Sequence, residues 1–197
     1  MNTPLSQELI FMAQEDIALR AQLADDGSLF NRYHPLMKEV HDRNAKRLSA
    51  IVDEHGWPGK SLVGEEASHA AWLILQHAIA HPDLQRRCFP LLVKEVEKGD
   101  MPPAEMAMLE DRIRCFEGRP QRFGTQFDWD ENKLMSPLPL DDYDLVEERR
   151  KRLGMRPMVE EIEAKRKEAM ESNEEPPSDF QQYLEEKETW LKAYGWR

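Results

Sequence analysis

Glu65-Glu66-Ala67-Ser68-His69-Ala70-Ala71-Trp72-Leu73-Ile74-Leu75-Gln76-His77-Ala78-Ile79-Ala80 is the stretch on which the fold turns. Its two leading acids suit the first turn of a helix, where they face the positive end of the dipole. From Ala67 to Ala80 the residues are apolar on almost every side, and Pro82 forbids continuation. A helix with so little polar face is surrounded by other helices, so this one predicts the centre of an all-α protein. The apolar run is broken by Gln76-His77 and is shorter than the roughly 20 residues a bilayer requires. No membrane span is expected.

Helices are predicted outward on both sides. Thr3-Pro4 starts the first, with Thr3 as the cap and proline in the first turn. Leu9, Ile10, Met12, Ile17, Leu19 and Leu23 carry it to Asp25-Asp26-Gly27. A second runs from His34 to His55 with Leu36, Met37, Val40, Leu48, Ile51 and Val52 inward. Beyond the central helix, one runs from Leu84 to Lys98 and another, capped by Asp100, to Gly118. Residues 119–140, rich in proline and polar groups, predict a long ordered loop with room for a short hairpin. Asp141 or Asp142 caps a helix ending at Gly154, and Pro157 opens a highly charged one to about Met170. Asn173 to Pro177 reads as a linker, and Ser178 caps a last amphipathic helix with Phe180, Tyr183, Leu184, Trp190, Leu191 and Tyr194. The expectation is a compact multi-helix core over 1–154 and a charged helical extension over 155–197, either a docked arm or a partner-binding pair.

The 197 residues carry a formal charge of −11, with 33% charged and 40% hydrophobic side chains. That balance fits a helix-rich protein with long solvated faces and opposes phosphate-backbone binding, which needs a dense basic surface. No nucleic-acid partner is expected. The basic run Arg149-Arg150-Lys151-Arg152 reads as the cationic end of a helix. Cys88 and Cys115 lack CxxC spacing and are expected reduced. The N-terminus has no signal-peptide pattern, so a cytoplasmic location is the expectation.

Polar groups inside apolar segments are the functional lead, because buried amides, imidazoles and ions are costly unless partnered. His77 shares a stripe with Glu66, Ala70 and Leu73, but Glu66 lies roughly 16 Å up the axis at about 1.5 Å per residue. Its partner must come from another element. By residue type, Asp111 is the candidate carboxylate to orient His77 as general acid/base, with Arg112 as an anion clamp. Gln76, Phe123, Thr125 and Gln126 are candidate binding residues beside them, Gly124 allowing close approach or positive φ. The same residues also suit a structural lock between helices, and the sequence leaves both readings standing. His77 and His81 have helical ligand spacing, but no HExxH is present and no metal or other cofactor is expected. The phosphate-loop, serine-elbow and dinucleotide-binding patterns are absent as well.

The succession Gly56-Trp57-Pro58, Val63-Gly64-Glu65, Gln76-His77-Ala78, Glu110-Asp111-Arg112 and Phe123-Gly124-Thr125-Gln126 resembles a bacterial family known only as a domain of unknown function. Its members carry a GWP turn, a QHA-bearing helix, a DR pair and a YGTQ segment. The resemblance covers about residues 8 to 154. Phe123 stands where the family usually has tyrosine, and Asp16-Ile17 where an Asp-Gln pair is common. The resemblance implies that these polar segments belong together and implies no activity. Two functions follow from the residues: a small-molecule- or peptide-modifying enzyme using His77, or a noncatalytic immunity- or adaptor-like protein. The second would bind a protein partner through its acidic surface and C-terminal helices.

Overall fold

The computed structural model describes residues 1–30, 33–171 and 175–197. Among them are nine α-helices and one two-stranded ribbon, so the protein is all-α as expected. Backbone contacts divide the chain into two units, Met1–Met106 and Ala107–Arg197.

The first unit contains α1 (Thr3–Asp25), α2 (Pro35–His55), the single turn α3 (Lys60–Val63), α4 (Glu65–His77) and α5 (Pro82–Glu97). Helix α4 packs chiefly against α1 and also on α2. Leu9, Leu48, Ala71 and Leu75 are fully buried between them. The cap of α1 is Asn2 rather than Thr3, its side chain accepting from Leu5 N. Helix α4 stops at His77, three residues before the sequence predicts. Ala78 turns out of the helix at ψ 47°, and the Gln85 side-chain amide Nε2 donates to the carbonyls of Leu75 and Gln76, 2.8 and 3.4 Å away. A buried side chain thus takes up helix-end carbonyls. Pro82 opens α5 in its first turn, where a missing N–H costs nothing. Asp100, expected to cap the next helix, instead accepts from the backbone N–H and hydroxyl of Ser61.

The division falls inside α6 (Pro103–Phe116). The second unit continues with β1 (Phe127–Trp129), β2 (Met135–Pro137), α7 (Tyr143–Arg152), α8 (Met158–Glu171) and α9 (Phe180–Ala193). The strands are antiparallel, with Phe127 opposite Pro137 and Trp129 opposite Met135. Asp142 caps α7 and Asp179, not Ser178, caps α9. Both C-terminal helices touch the ribbon: Arg166 donates to Met135 O, and the Tyr183 hydroxyl and Lys187 ammonium reach Asp128. Of the expected linker, Asn173 and Glu174 lie outside the described residues. Both cysteines are free thiols. No helix among the described residues is long and apolar enough to cross a membrane.

Candidate functional site

The carboxylate that meets His77 is Asp16. Helix α1 buries Leu5, Leu9, Met12, Ala13, Asp16 and Leu23 on one face, so the acid occupies a position where the helical period calls for an apolar residue. Helix α2 does the same with an imidazole, burying Met37, His41, Asn44, Ala45, Leu48, Ile51 and Val52. His77 joins them from the last turn of α4. Three helices of the first unit therefore each direct one polar side chain to a common point.

Asp16 Oδ2 lies 2.8 Å from His77 Nδ1 and 3.4 Å from His41 Nε2. The two imidazole centroids are 5.3 Å apart, and the Tyr33 hydroxyl meets the far side of the His41 ring at Nδ1, 2.8 Å away. Asp16 is 1% exposed and His41 7%, whereas the side chain of His77 keeps 21% of its surface. Burial alone would push the Asp16 carboxyl up. The flanking His41 and His77 imidazoles overcome it and hold the group well below the usual carboxylate range. Asp16 is thus an anion, and His77 Nδ1 donates to it. Two buried atoms of the cluster have no hydrogen-bond partner among the described residues: Asp16 Oδ1 and His41 Nε2. Nearby along α2, Asn44 Nδ2 ties the helix to α1 by donating to Met12 O at 3.3 Å.

Asp111, expected beside His77, spends its carboxylate in the second unit. Its two oxygens accept the backbone N–H groups of Arg122, Phe123 and Thr125 and the Thr125 hydroxyl, at 2.6–3.1 Å. Burial raises this carboxyl against the pull of those donors. The carbonyls of the same turn face a guanidinium: Arg150, 1% exposed, donates to Phe123 O, Gly124 O and Arg156 O and pairs with Glu161. Arg150 therefore does more than complement the end of α7. Arg112 Nε donates to Gln126 Oε1 at 3.3 Å, and Gln126 Nε2 donates to the Thr125 hydroxyl. Gln121, fully buried, accepts from Gln126 N and donates to Gln126 O and Leu138 O. Gly124 has φ +65°, and a Cβ there would sit 2.3 Å from Met158 Sδ. Asp111, Arg112, Phe123, Thr125 and Gln126 thus come together, as a network that holds a turn. Gln76 is buried on α4.

His81 does not share a centre with His77. It pairs with Asp42 at 2.8 Å, both side chains about one-third exposed. His69 pairs with Glu105 at 2.7 Å and stacks on Trp72. Among the described residues, Asp16, His41 and His77 form the group that could hold a metal ion, their donor atoms lying within 4.8 Å of one another. The sequence reading gives no role to Asp16, met only as half of the Asp16-Ile17 pair, or to His41, although each carried a signal. Asp16 stands midway in the heptad Leu9–Asp16–Leu23, and His41 falls seven before Leu48.

A profile of a Family of unknown function (DUF6624) matches residues 3–170, most of the chain. No curated protein and no solved structure matches.

Proposed function

The chain belongs to that family of unknown function, and we propose that it is a small-molecule- or peptide-modifying enzyme whose working centre is Asp16, His41 and His77. His77 stands at the edge where a proton passes to or from the substrate. The observation that carries this reading is the asymmetry of the pair. Asp16 is sealed at 1% exposure, while the imidazole it holds at 2.8 Å keeps a solvent-facing surface. A buried anion that fixes one ring nitrogen sets the tautomer and orientation of the other, the arrangement a general acid/base needs. The orienting role assigned by residue type to Asp111 passes to Asp16, and no substrate contact is assigned to Arg112, Phe123, Thr125 or Gln126.

The test is turnover of a chromogenic panel: p-nitrophenyl acetate, p-nitrophenyl phosphate, bis-p-nitrophenyl phosphate and peptide anilides. Wild type is compared with His77→Gln, Asp16→Asn and the remote control His69→Gln. Wild type should turn over at least one class, with a loss on the order of 100-fold or more in His77→Gln, an unchanged far-UV spectrum and full activity in His69→Gln. Equal turnover by His77→Gln, or none by wild type on any probe, would sink the enzyme reading. The charged faces of α8 and α9 would then be the element to test for binding a protein partner.

A further inference from the structure

Four features of the cluster call for a cation. Its donor set is two imidazoles and one carboxylate, the combination that suits zinc and non-haem iron. Two of its donor separations are close to those of a ligand sphere, and all three donors lie within 4.8 Å of one another: a metal with bonds of about 2.1 Å separates neighbouring donors by roughly 3.0 Å in octahedral and 3.4 Å in tetrahedral geometry. Asp16 Oδ2 lies 2.8 Å from His77 Nδ1 and 3.4 Å from His41 Nε2. Asp16 and His41 are more than nine-tenths buried, yet among the described residues Asp16 Oδ1 and His41 Nε2 have no hydrogen-bond partner. Finally, the Tyr33 hydroxyl occupies His41 Nδ1, the outer contact by which a ligating histidine is held in one tautomer.

When His41 Nδ1–H donates to Tyr33 Oη, Nε2 turns a lone pair toward the Asp16 carboxylate. Two electron-rich atoms at 3.4 Å inside a protein repel unless a positive charge sits between them. When the tyrosine donates instead, Nε2–H faces Asp16 without hydrogen-bond alignment, and Asp16 Oδ1 is still stranded. A divalent ion held by the Asp16 carboxylate, His41 Nε2 and His77 Nδ1 would relieve the repulsion at His41 and replace the proton shared by Asp16 and His77.

We propose that Asp16, His41 and His77 bind one divalent first-row transition-metal ion of the zinc or ferrous class, with Tyr33 supporting His41. The inference rests on the reading that this cluster is the working centre, and it names the cofactor of that centre. Three protein ligands leave coordination positions for water or substrate, as catalytic rather than structural sites do. The open side is that of His77, the most exposed of the three. With an ion seated, Asp16, His41 and His77 would hold it as ligands, and the proton exchanged on the His77 side would come from water polarised there rather than from the His77 ring.

The experiment takes the full chain, stripped with chelator, through equilibrium dialysis against Zn²⁺ with the bound metal read by mass spectrometry. One ion per chain is expected. Binding should weaken by on the order of 100-fold or more in the near-isosteric variants Asp16→Asn, His41→Gln and His77→Gln, and stay at the wild-type level in His69→Gln. No bound ion in wild type, or equal binding by the three variants, overturns the site. Should a variant fail to fold, wild type alone decides: imidazole ¹⁵N spectra during Zn²⁺ titration should show metallation of His41 Nε2 and His77 Nδ1. Metallation confined to His34, His55, His69 or His81 overturns it. The two proposals part cleanly. A bound ion without turnover removes the enzyme and keeps the site, whereas turnover by metal-free protein that takes up no ion removes the site and keeps the enzyme.

Discussion

Replacing Asp111 by alanine separates a structural acid from a catalytic one. The substitution strands three backbone N–H groups, those of Arg122, Phe123 and Thr125, and one hydroxyl that can rotate to a new partner. A buried donor without an acceptor costs about 1–3 kcal/mol. Phe123 N is buried and takes the upper end of that range, while Arg122 N and Thr125 N are part-buried and take the lower. The sum is roughly 3–5 kcal/mol. For a chain of this size each kcal/mol moves the melting temperature by about 2–4 °C, so the variant should melt on the order of 6–20 °C below wild type. Urea unfolding followed by circular dichroism gives the free energy. Hydrogen exchange at residues 122, 123 and 125 locates it, since those amides should lose protection first. A variant within about 1 kcal/mol of wild type with these amides still protected would refute the assignment. Loss of turnover at unchanged stability would restore Asp111 to the catalytic role that residue type suggests.

Four further outcomes follow from the same geometry. Gly124→Ala should lose about 2–4 kcal/mol in urea titrations, combining left-handed backbone strain with the clash against Met158 Sδ; an unchanged midpoint would show that α8 gives way freely. Glu105, raised by burial despite its bond to His69, favours its protonated form in the folded state. Its contribution is therefore complete below the ordinary glutamate value and is lost as pH rises through the folded one. The stability of Glu105→Gln relative to wild type should accordingly improve from pH 4 to pH 7, and a pH-independent difference would contradict this. Burial pushes the thiols of Cys88 and Cys115 up to about 11 and about 12, so native alkylation at pH 8 should run at least ~100-fold slower than in urea; a fast native phase would mean an open thiol. Replacing Asp16, His41 and His77 together by leucine should leave metal-stripped protein within about 2 kcal/mol of wild type or more stable while abolishing turnover and metal uptake, and a large destabilisation would make the cluster a structural lock.

The helices were legible because their signals are local. Pro82, Gly56 and Gly154 punctuate the chain at the ends where the structure begins or stops helices. The end of α4 was not, because a side chain from the next helix, Gln85, terminates it. Asp111, Arg112, Phe123, Thr125 and Gln126 do lie in one hydrogen-bond network, since a carboxylate eleven to fourteen residues before a glycine-bearing turn can fold back onto its amides. The purpose of the set was not readable, because a carboxylate that caps backbone N–H groups and one that orients an imidazole look identical in sequence. Only the direction of Asp111 within the fold distinguishes them.

Asp16 is the opposite case. It sits among residues that a pattern reading assigns to the core, and a lone acid at a core position is easily passed over as tolerated noise. The physics makes it the most informative residue of the first unit. An ion pair buried at such a position can generally be exchanged for packed apolar side chains without loss, and often with a gain of about 1–4 kcal/mol. Leucine at 16 would simply extend Leu9 to Leu23. Stability therefore gives no reason for an acid on α1, an imidazole on α2 and a second imidazole on α4 to occupy inward positions at the same level. Each would be costly alone, and together they still leave two buried polar atoms unbonded. What the three share is the capacity to hold a positive charge, as a proton or as a metal ion, at a point that opens to solvent on the His77 side. We propose that this capacity, rather than cohesion of the helices, accounts for their placement, and the triple leucine variant separates the two.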